Sequence, residues 1–278
     1  MRMEDNCILQ NVVKLLRDLP FVQGIVLGGS RVTETATKES DFDVGIYYQK
    51  KGFDLDRLNV AAAKLDDARR ENLICREGGW GPWVNCGGWL TIGGCRVDLI
   101  LRDIDRVRAC IEETEQGTVT AHYQAGHPHA YFNVMYRGEL ASSKVLYSAC
   151  KAFLELKAQA ERYPDCLQKA LLDFFLFEAE FSCQLAEKAA QEKELSYLAG
   201  HLFRSVSACN QVLFAINRKY CLNEKRASRR IETFAVAPEQ YSERVNAVFS
   251  EMPADRSKSV GILWQLCRDV KQLAHNRA

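Results

Sequence analysis

Apolar and polar positions along this chain follow two different periods. Short runs in the first half are strand-like, either mostly apolar or apolar at every second residue. They lie at 21–27, 41–48, 89–92 and 96–101. From about residue 144 this alternation disappears, and apolar residues recur at helical spacing to the end. The pattern predicts an α+β fold, with a small mixed sheet and helices in residues 1–140 and an α-helical bundle in residues 141–278.

The helices expected from this spacing are long in the second part of the chain. Their predicted ranges are 143–162, 164–194, 197–221, 238–251 and 256–275. The apolar stripe of the second of these suits the core of a bundle and consists of Leu167, Leu171, Phe174, Phe175, Phe177, Phe181 and Leu185. In the first part, Asp5 is expected to cap a helix, and Asp54 and Asp103 to open two more, the former through Arg70.

A glycine and serine turn, Gly28, Gly29 and Ser30, follows the first predicted strand. Glycines at this point would let backbone N–H groups approach a phosphate closely, and the Ser30 hydroxyl would add a donor. Turns of this kind also occur without any phosphate site, so by itself the motif predicts only a tight turn.

Two aspartates, Asp41 and Asp43, stand at the beginning of the next strand-like run. Positions two apart in a strand share a face, so both carboxylates are expected to project together, opposite the apolar residues of the run. They repel each other unless a cation lies between them, and such hard oxygen ligands suit Mg²⁺ bound jointly with substrate phosphates. Asp98 is the predicted third carboxylate, brought beside the pair by an antiparallel strand.

Taken in order, these elements resemble the signature of the DNA polymerase β-like nucleotidyltransferases. The resemblance rests on Gly28-Gly29-Ser30, on Ser40-Asp41-Phe42-Asp43 and on Asp98. It covers roughly residues 21–102, and the short bacterial members, including the aminoglycoside and lincosamide nucleotidyltransferases, are similar in size and layout. The resemblance therefore implies an enzyme of the EC 2.7.7 type.

The resemblance also implies a role for each matching residue. The nucleotide-binding residues would be Gly28, Gly29, Ser30, Arg31 and Ser40. Asp41, Asp43 and Asp98 would be the catalytic residues and the ligands of two Mg²⁺ ions, and Asp98 is the first candidate for the base. We therefore expect transfer of a nucleoside monophosphate, AMP from ATP or the same group from another triphosphate, to a hydroxyl of a small acceptor, with release of pyrophosphate.

Two polar groups in the helical part bear on the same chemistry. Arg218, Lys219 and Lys225 belong to a basic cluster at the end of a predicted helix. Because the resemblance implies that a helical domain closes over the triphosphate, these three are predicted to contact it. A charged helix end that complements the helix dipole is the alternative. Glu178 and Glu180 are alternate bases, although a solvated stripe is the simpler interpretation.

Aromatic and histidine-rich segments leave further alternatives open. Trp80 or Trp83 could stack on a flat acceptor or base, although these two and Trp89, beside a small sheet, are more typical of packing residues. His127 and His129 flank a proline in a loop that either orients the domain junction or contacts the nucleotide or the acceptor. A zinc site would need more ligands at a recognisable spacing.

Composition argues against several classes of protein. A formal net charge of +1 supplies no overall basic field for gripping long nucleic acid. The 11 cysteines are odd in number and lack CxxC spacing, which indicates buried thiols in a reducing cytosol rather than zinc or disulfides. No signal peptide, transit peptide or apolar run of about 18 residues is visible, so we expect a cytoplasmic protein without a membrane partner.

Several questions stay open on the sequence alone. The acceptor, the preferred base and the oligomeric state, for which a homodimer is one alternative, are not determined. Nucleotide transfer to a protein or RNA, as in toxin and antitoxin relatives, is a second alternative. A catalytically inactive nucleotide-binding module is the third, and the retention of all three aspartates argues against it.

Overall fold

The computed structural model describes residues 3–32, 40–192 and 194–276. The chain divides into two compact units, each made of two separate segments. The first unit consists of Met1–Glu112 and Glu139–Arg162, and the second of Glu113–Gly138 and Tyr163–Ala278. The predicted division into a catalytic domain (residues 1–140) and a helical domain (residues 141–278) is a statement about function, and it stays a prediction.

The first unit is built on a mixed sheet that has five strands among the described residues. They are β1 (Val22–Leu27), β2 (Phe42–Tyr48), β3 (Cys86–Ile92), β4 (Cys95–Asp103) and β7 (Lys144–Ser148), in the spatial order β3-β4-β2-β1-β7. β4 runs parallel to β2, whereas the other neighbours are antiparallel. The antiparallel neighbour expected for Asp98 is therefore wrong. β3 and β4 form an antiparallel hairpin with β3 at the edge of the sheet, and β4 lies between β3 and β2.

Two helices, α1 (Met3–Leu16) and α2 (Leu55–Leu65), cover one face of this sheet. Their apolar sides share a core with Phe42, Val44 and Ile46, which are completely buried. Asp5 lies inside α1 rather than at its N-terminal cap, and its carboxylate pairs with Arg31. The predicted cap is therefore wrong, and the ion pair connects the first helix to the turn after β1.

The second helix begins as predicted and ends early. Asp54 caps it by accepting a hydrogen bond from the backbone N–H of Arg57 at 3.0 Å. The helix ends before Asp66 rather than at Arg70. The Asp66 carboxylate accepts hydrogen bonds from the Arg70 guanidinium and from the backbone N–H of Thr91. Asp66 thus joins the end of α2 to β3.

The helix predicted over residues 143–162 is a strand followed by a helix. β7 pairs antiparallel with β1, and α5 (Lys151–Glu161) follows it. The apolar pattern indicated that strand structure ends at about residue 144. This prediction is wrong, because β7 covers Lys144–Ser148. Phe153 of α5 lies over Gly24 and Tyr47 on the second face of the sheet, where a side chain at Gly24 would overlap its ring.

The second unit is mostly helical. Its long helices are α6 (Asp165–Glu192), α7 (Leu195–Ile216), α9 (Tyr241–Glu251) and α10 (Arg256–His275). They confirm the predicted helical region, although α7 ends five residues before the predicted 221. A short helix, α8 (Ala227–Ile231), and the strands β5 (Ala121–His122) and β6 (Tyr131–Phe132) also belong to this unit. The division between the units falls within α3 (Ile104–Glu115) and at the middle of α4 (Asn133–Ser142).

The apolar stripe predicted for α6 is only partly buried. Leu167, Leu171 and Phe175 lie in the core, whereas Phe174, Phe177 and Phe181 are exposed. The rings of Phe177 and Phe181 stack on each other at the surface, with centroids 5.6 Å apart. The stripe is therefore wider than the face of α6 that its neighbours cover.

Cys183 and Cys209 are buried, as the sequence pattern predicted, whereas Cys7, Cys150 and Cys166 are exposed, so the prediction of buried thiols holds only in part. Within the described residues, no helix combines the length and the apolar character that crossing a membrane requires.

Candidate active site

The predicted carboxylates lie together on one side of the first unit's sheet. Asp43 of β2 and Asp98 of β4 are register partners. Register partners project to the same face, so both carboxylates lie opposite the buried core formed by the alternate residues. Asp41 lies just before β2, two residues from Asp43. The structure thus brings the three aspartates together, and their roles stay predictions.

Burial and mutual repulsion mark this cluster. Burial, together with the charges of Asp43 and Asp41, raises the pKa of Asp98 to about 6, and the Arg96 charge acts in the opposite direction. Strongly shifted carboxyl groups of this kind concentrate at functional sites.

A cation that the sequence interpretation did not assign to the site lies beside Asp41. Arg96 Nε is 2.6 Å from Asp41 Oδ1. This oxygen is buried, and the approach lacks the alignment of a hydrogen bond. Strand alternation already places Arg96 on the face of Asp98. The parallel register then places Arg96 next to Asp41, because both residues lie two positions before the Asp43 and Asp98 pair along the chain.

The glycine turn lies directly against Asp43. The Gly28 N–H donates to the Asp43 carbonyl oxygen at 2.8 Å, and Gly29–Arg31 form a short 3-10 turn. Gly29 has a φ of +65°, and a Cβ at this position would overlap Asp43 Oδ2. Glycine is therefore required here both by the backbone conformation and by the close approach of the carboxylate.

Arg31 fastens this turn to the beginning of β2. Its guanidinium donates to the carbonyl oxygens of Ser40 at 2.5 Å and of Asp41 at 3.2 Å. It also lies 3.6 Å from the centre of the Phe42 ring and 3.4 Å from Asp5 Oδ2. These contacts make Arg31 a brace between turn and strand. The predicted contacts of Arg31 and Ser40 with a nucleotide stay predictions.

The three carboxylates supply the oxygen donors that Mg²⁺ prefers, and a divalent cation would relieve their repulsion. In the ranges that the structure describes, however, no group of three histidine, cysteine, aspartate or glutamate side chains is arranged to hold a metal ion. Asp41 is held by Arg96 instead. The donor set therefore fits a divalent cation by its chemistry, and Arg96 would compete with that cation for Asp41 Oδ1.

The basic residues predicted to contact the triphosphate belong to the second unit. Arg218 pairs with Asp165. Lys219 Nζ lies 5.0 Å from the centre of the Phe234 ring, and the Lys225 side chain is exposed. Two of the three thus have partners within their own unit. Their contacts with a nucleotide stay predictions.

Glu178 is a buried partner of His129 and Arg204 rather than part of a solvated stripe. Its Oε1 lies 3.1 Å from His129 Nε2 and 2.5 Å from Arg204 Nη2. Although burial opposes the shift, the His129 hydrogen bond and the Arg204 charge lower the pKa of Glu178. Glu180 pairs with Lys271 at 2.6 Å. The proposed roles of Glu178 and Glu180 as alternate bases, and of His129 as a substrate contact, stay predictions.

Comparison with known proteins adds an independent observation. The nucleotidyltransferase domain family model matches residues 9–79, which include the glycine turn and both aspartates of the β2 region. No curated protein matches the chain.

Two solved structures are distantly similar. One is a nucleotidyltransferase-like protein from Exiguobacterium sibiricum 255-15, with a TM-score of 0.46 and 7% identity over 98% of this chain and 75% of that chain. The other is an aminoglycoside 6-adenyltransferase from Bacillus subtilis, with a TM-score of 0.35 and 10% identity over 99% and 91%.

The family match and the residue motif coincide in the chain. The matched residues, 9–79, contain β1, the turn, Asp41 and Asp43, and end before Asp98. The match supports the predicted resemblance, and residues 9–79 of the chain match the nucleotidyltransferase domain.

Proposed function

We propose that this nucleotidyltransferase moves a nucleoside monophosphate, AMP from ATP, to a hydroxyl group of a small acceptor, with release of pyrophosphate. The observation that supports it is the row formed by the glycine turn, Asp43 and Asp98 on adjacent strands. It puts a tight turn that begins with two glycines beside two repelling carboxylates, and a triphosphate with a divalent cation requires such a combination.

The turn is the proposed site of the triphosphate. Gly29 leaves the backbone accessible, whereas the Gly28 N–H already donates to the Asp43 carbonyl oxygen, and Ser30 adds a hydroxyl close to the same point. Because Gly29 lies against the Asp43 carboxylate, phosphates bound at the turn would be within reach of that carboxylate's cation.

Asp41, Asp43 and Asp98 are the proposed ligands of Mg²⁺, with two ions as in the resembling family. When bound, the metal supplies positive charge that offsets the charge of the phosphates during displacement. The chain's own contribution is positioning, since the register of β2 and β4 holds Asp43 and Asp98 as neighbours.

Asp98 is the proposed base because of its place in the row. It lies one strand beyond Asp43, on the side away from the glycine turn. An acceptor hydroxyl on that side would give its proton to an Asp98 carboxylate oxygen while its own oxygen bonds to the α-phosphorus. The bond from the α-phosphorus to the bridging oxygen then breaks, and pyrophosphate leaves with the electron pair.

Mass spectrometry of reactions with ATP, Mg²⁺ and a panel of small hydroxylated compounds tests this proposal. The parent is expected to form an AMP conjugate and pyrophosphate in equal amounts, and Asp43→Asn is expected to form neither. Asp18→Asn is the matched control, since the Asp18 side chain is 82% exposed and lies outside the row. Turnover by Asp43→Asn at the parent's rate would contradict the proposal. So would the absence of any conjugate with the parent.

A further inference from the structure

An exposed tryptophan extends the row of the candidate active site away from the glycine turn. Trp89 of β3 is the register partner of Asp98, just as Asp98 is the partner of Asp43. Register partners project to the same face. Across β1, β2, β4 and β3 the sheet therefore presents, in order, the glycine turn, Asp43, Asp98 and the Trp89 indole.

The Trp89 indole is open on one side and supported on the other. Trp89 is 64% exposed, although its neighbours Gly88 and Leu90 are buried. One face of its ring system stacks on Trp80, with centroids 5.0 Å apart and an interplanar angle of 26°. Trp89 has no second ring contact within the described part of the chain. Its other face is therefore open to a ligand.

The supporting indole is held in place by the backbone of the sheet. The Trp80 ring lies over Gly87, where any Cβ would overlap it. The Trp80 backbone N–H donates to the Asn85 carbonyl oxygen at 2.9 Å. Trp83 was also a candidate for stacking on the basis of the sequence. The Arg106 guanidinium lies over its ring, 4.1 Å from the ring centre. Trp89, rather than Trp80 or Trp83, thus offers the accessible stacking face.

We propose that the open face of Trp89 is the platform on which a flat aromatic ring of the acceptor stacks, with the ring's hydroxyl group directed at Asp98. This inference rests on the proposed nucleotidyl transfer, and it identifies the acceptor as a flat aromatic compound with a hydroxyl group. Neighbouring strands are about 4.8 Å apart, so the Trp89 backbone lies about 5 Å from that of Asp98 and about 10 Å from that of Asp43. A single aromatic ring spans the shorter distance, from Trp89 to Asp98. Aromatic rings prefer offset stacking, so a flat ring would continue the Trp80 and Trp89 stack.

The order of the strands assigns the platform to the acceptor rather than to the base of the nucleotide. In phosphoryl transfer the attacking and leaving oxygens are roughly in line. The leaving pyrophosphate would lie at the glycine turn, on the β1 side of Asp43. The attacking hydroxyl must then come from the other side, where Asp98 and Trp89 lie.

Binding of 7-hydroxycoumarin, a flat ring with one hydroxyl, tests the platform without nucleotide or turnover. Its fluorescence is titrated with the parent and three variants. Trp89→Ala is expected to weaken binding about ten-fold or more, the usual effect of removing one stacking partner, and Trp89→Phe to retain most of the affinity. Tyr123→Ala is the matched control, because Tyr123 is 90% exposed and belongs to the other unit. Absence of binding by the parent would overturn the proposal, as would equal binding by Trp89→Ala.

Steady-state kinetics with ATP, Mg²⁺ and 7-hydroxycoumarin separate the two possible occupants. Trp89→Ala is expected to raise the KM for the coumarin and to leave the KM for ATP unchanged. A rise in the KM for ATP alone would assign the indole to the nucleotide base and overturn the proposal. If binding depends on Trp89 but no AMP conjugate forms with any compound, the proposed function fails and the platform stands.

Discussion

Asp43 and Asp98 are register partners on adjacent parallel strands, so two carboxylates occupy neighbouring positions on one face of the sheet. Like charges directly opposite each other in a sheet are destabilising. Burial and this repulsion raise the pKa of Asp98 to about 6. The fold thus retains an arrangement that lowers its own stability, as is common where function needs it.

Asp98→Asn is expected to stabilise the metal-free protein near pH 7 by about 1–2 kcal/mol, a figure reduced for partial solvent screening. The folded pKa of Asp98 lies above its unfolded value of about 3.9, so the parent loses stability as pH rises through the interval between them. The two proteins should therefore differ little near pH 4. Chemical unfolding in EDTA across this range measures the difference, and equal stabilities throughout would contradict the repulsion.

Arg96→Met is expected to lower the Mg²⁺ concentration that half-saturates turnover by about two- to five-fold, because it removes an exposed competitor for Asp41 worth about 0.2–1 kcal/mol. Arg57→Met is the control, since Arg57 forms a similar exposed pair with Asp54 on α2. Metal titrations of the parent and both variants decide the matter. If Arg96→Met needed more Mg²⁺ than the parent, Arg96 would be assisting the site rather than blocking it.

Gly29→Ala is expected to abolish turnover, since its Cβ would displace the Asp43 carboxylate. Gly52→Ala is the matched control: Gly52 has a φ of +82°, but an added Cβ meets nothing within 4 Å. Both variants should lose about 1 kcal/mol of stability from backbone strain, and only Gly29→Ala should lose activity. Thermal unfolding and turnover of the two proteins provide the comparison. Equal activities would mean that the turn is only structural.

Asp66→Asn is expected to lower the free energy of unfolding by about 1.5–3 kcal/mol near pH 7. Asp66 is completely buried, and hydrogen bonds, first from the Arg70 side chain and then from the Thr91 backbone, hold its pKa well below the ordinary value. This stabilisation is present above the unfolded pKa of about 3.9 and is lost as pH falls below it. Urea unfolding at several pH values should show the gap between parent and variant closing in acid. A gap independent of pH would show that the carboxylate charge is not its source.

Lys225→Ala is expected to weaken ATP binding about ten-fold or more. AMP binding should change little, because AMP lacks the outer phosphates that Lys225 is predicted to contact. Arg218→Ala is expected to have a smaller effect on ATP, because Arg218 already pairs with Asp165. Calorimetric titration of both variants with ATP and AMP makes the comparison. If neither variant changes ATP binding, the basic cluster is a solvated helix end.

The local sequence was sufficient to predict the elements that carry the candidate site. A buried apolar run predicted β1, and alternation over two residues predicted β2 and β4. The alternation also separated Phe42, Val44 and Ile46 from the carboxylates. Glycine at position 29 and the spacing of Asp41 and Asp43 are properties of a few neighbouring residues. They were therefore readable without the fold.

The neighbours of each element were decided only by the tertiary structure. The same alternation is compatible with parallel and antiparallel pairing, so the contact of Arg96 with Asp41 and the alignment of Trp89 with Asp98 could not be read from it. β7 was missed because a strand of five residues at the edge of the described sheet has a weak apolar pattern.

Sequence by itself thus predicted the nucleotidyltransferase domain, the turn and the carboxylates, because these depend on residue types at short spacing. The structure alone decided which side chains lie beside the carboxylates: a competing arginine near Asp41 and an open indole beyond Asp98. The reason is physical. Register and strand order arise from packing the whole sheet against its helices, and that packing depends on residues far apart in the chain.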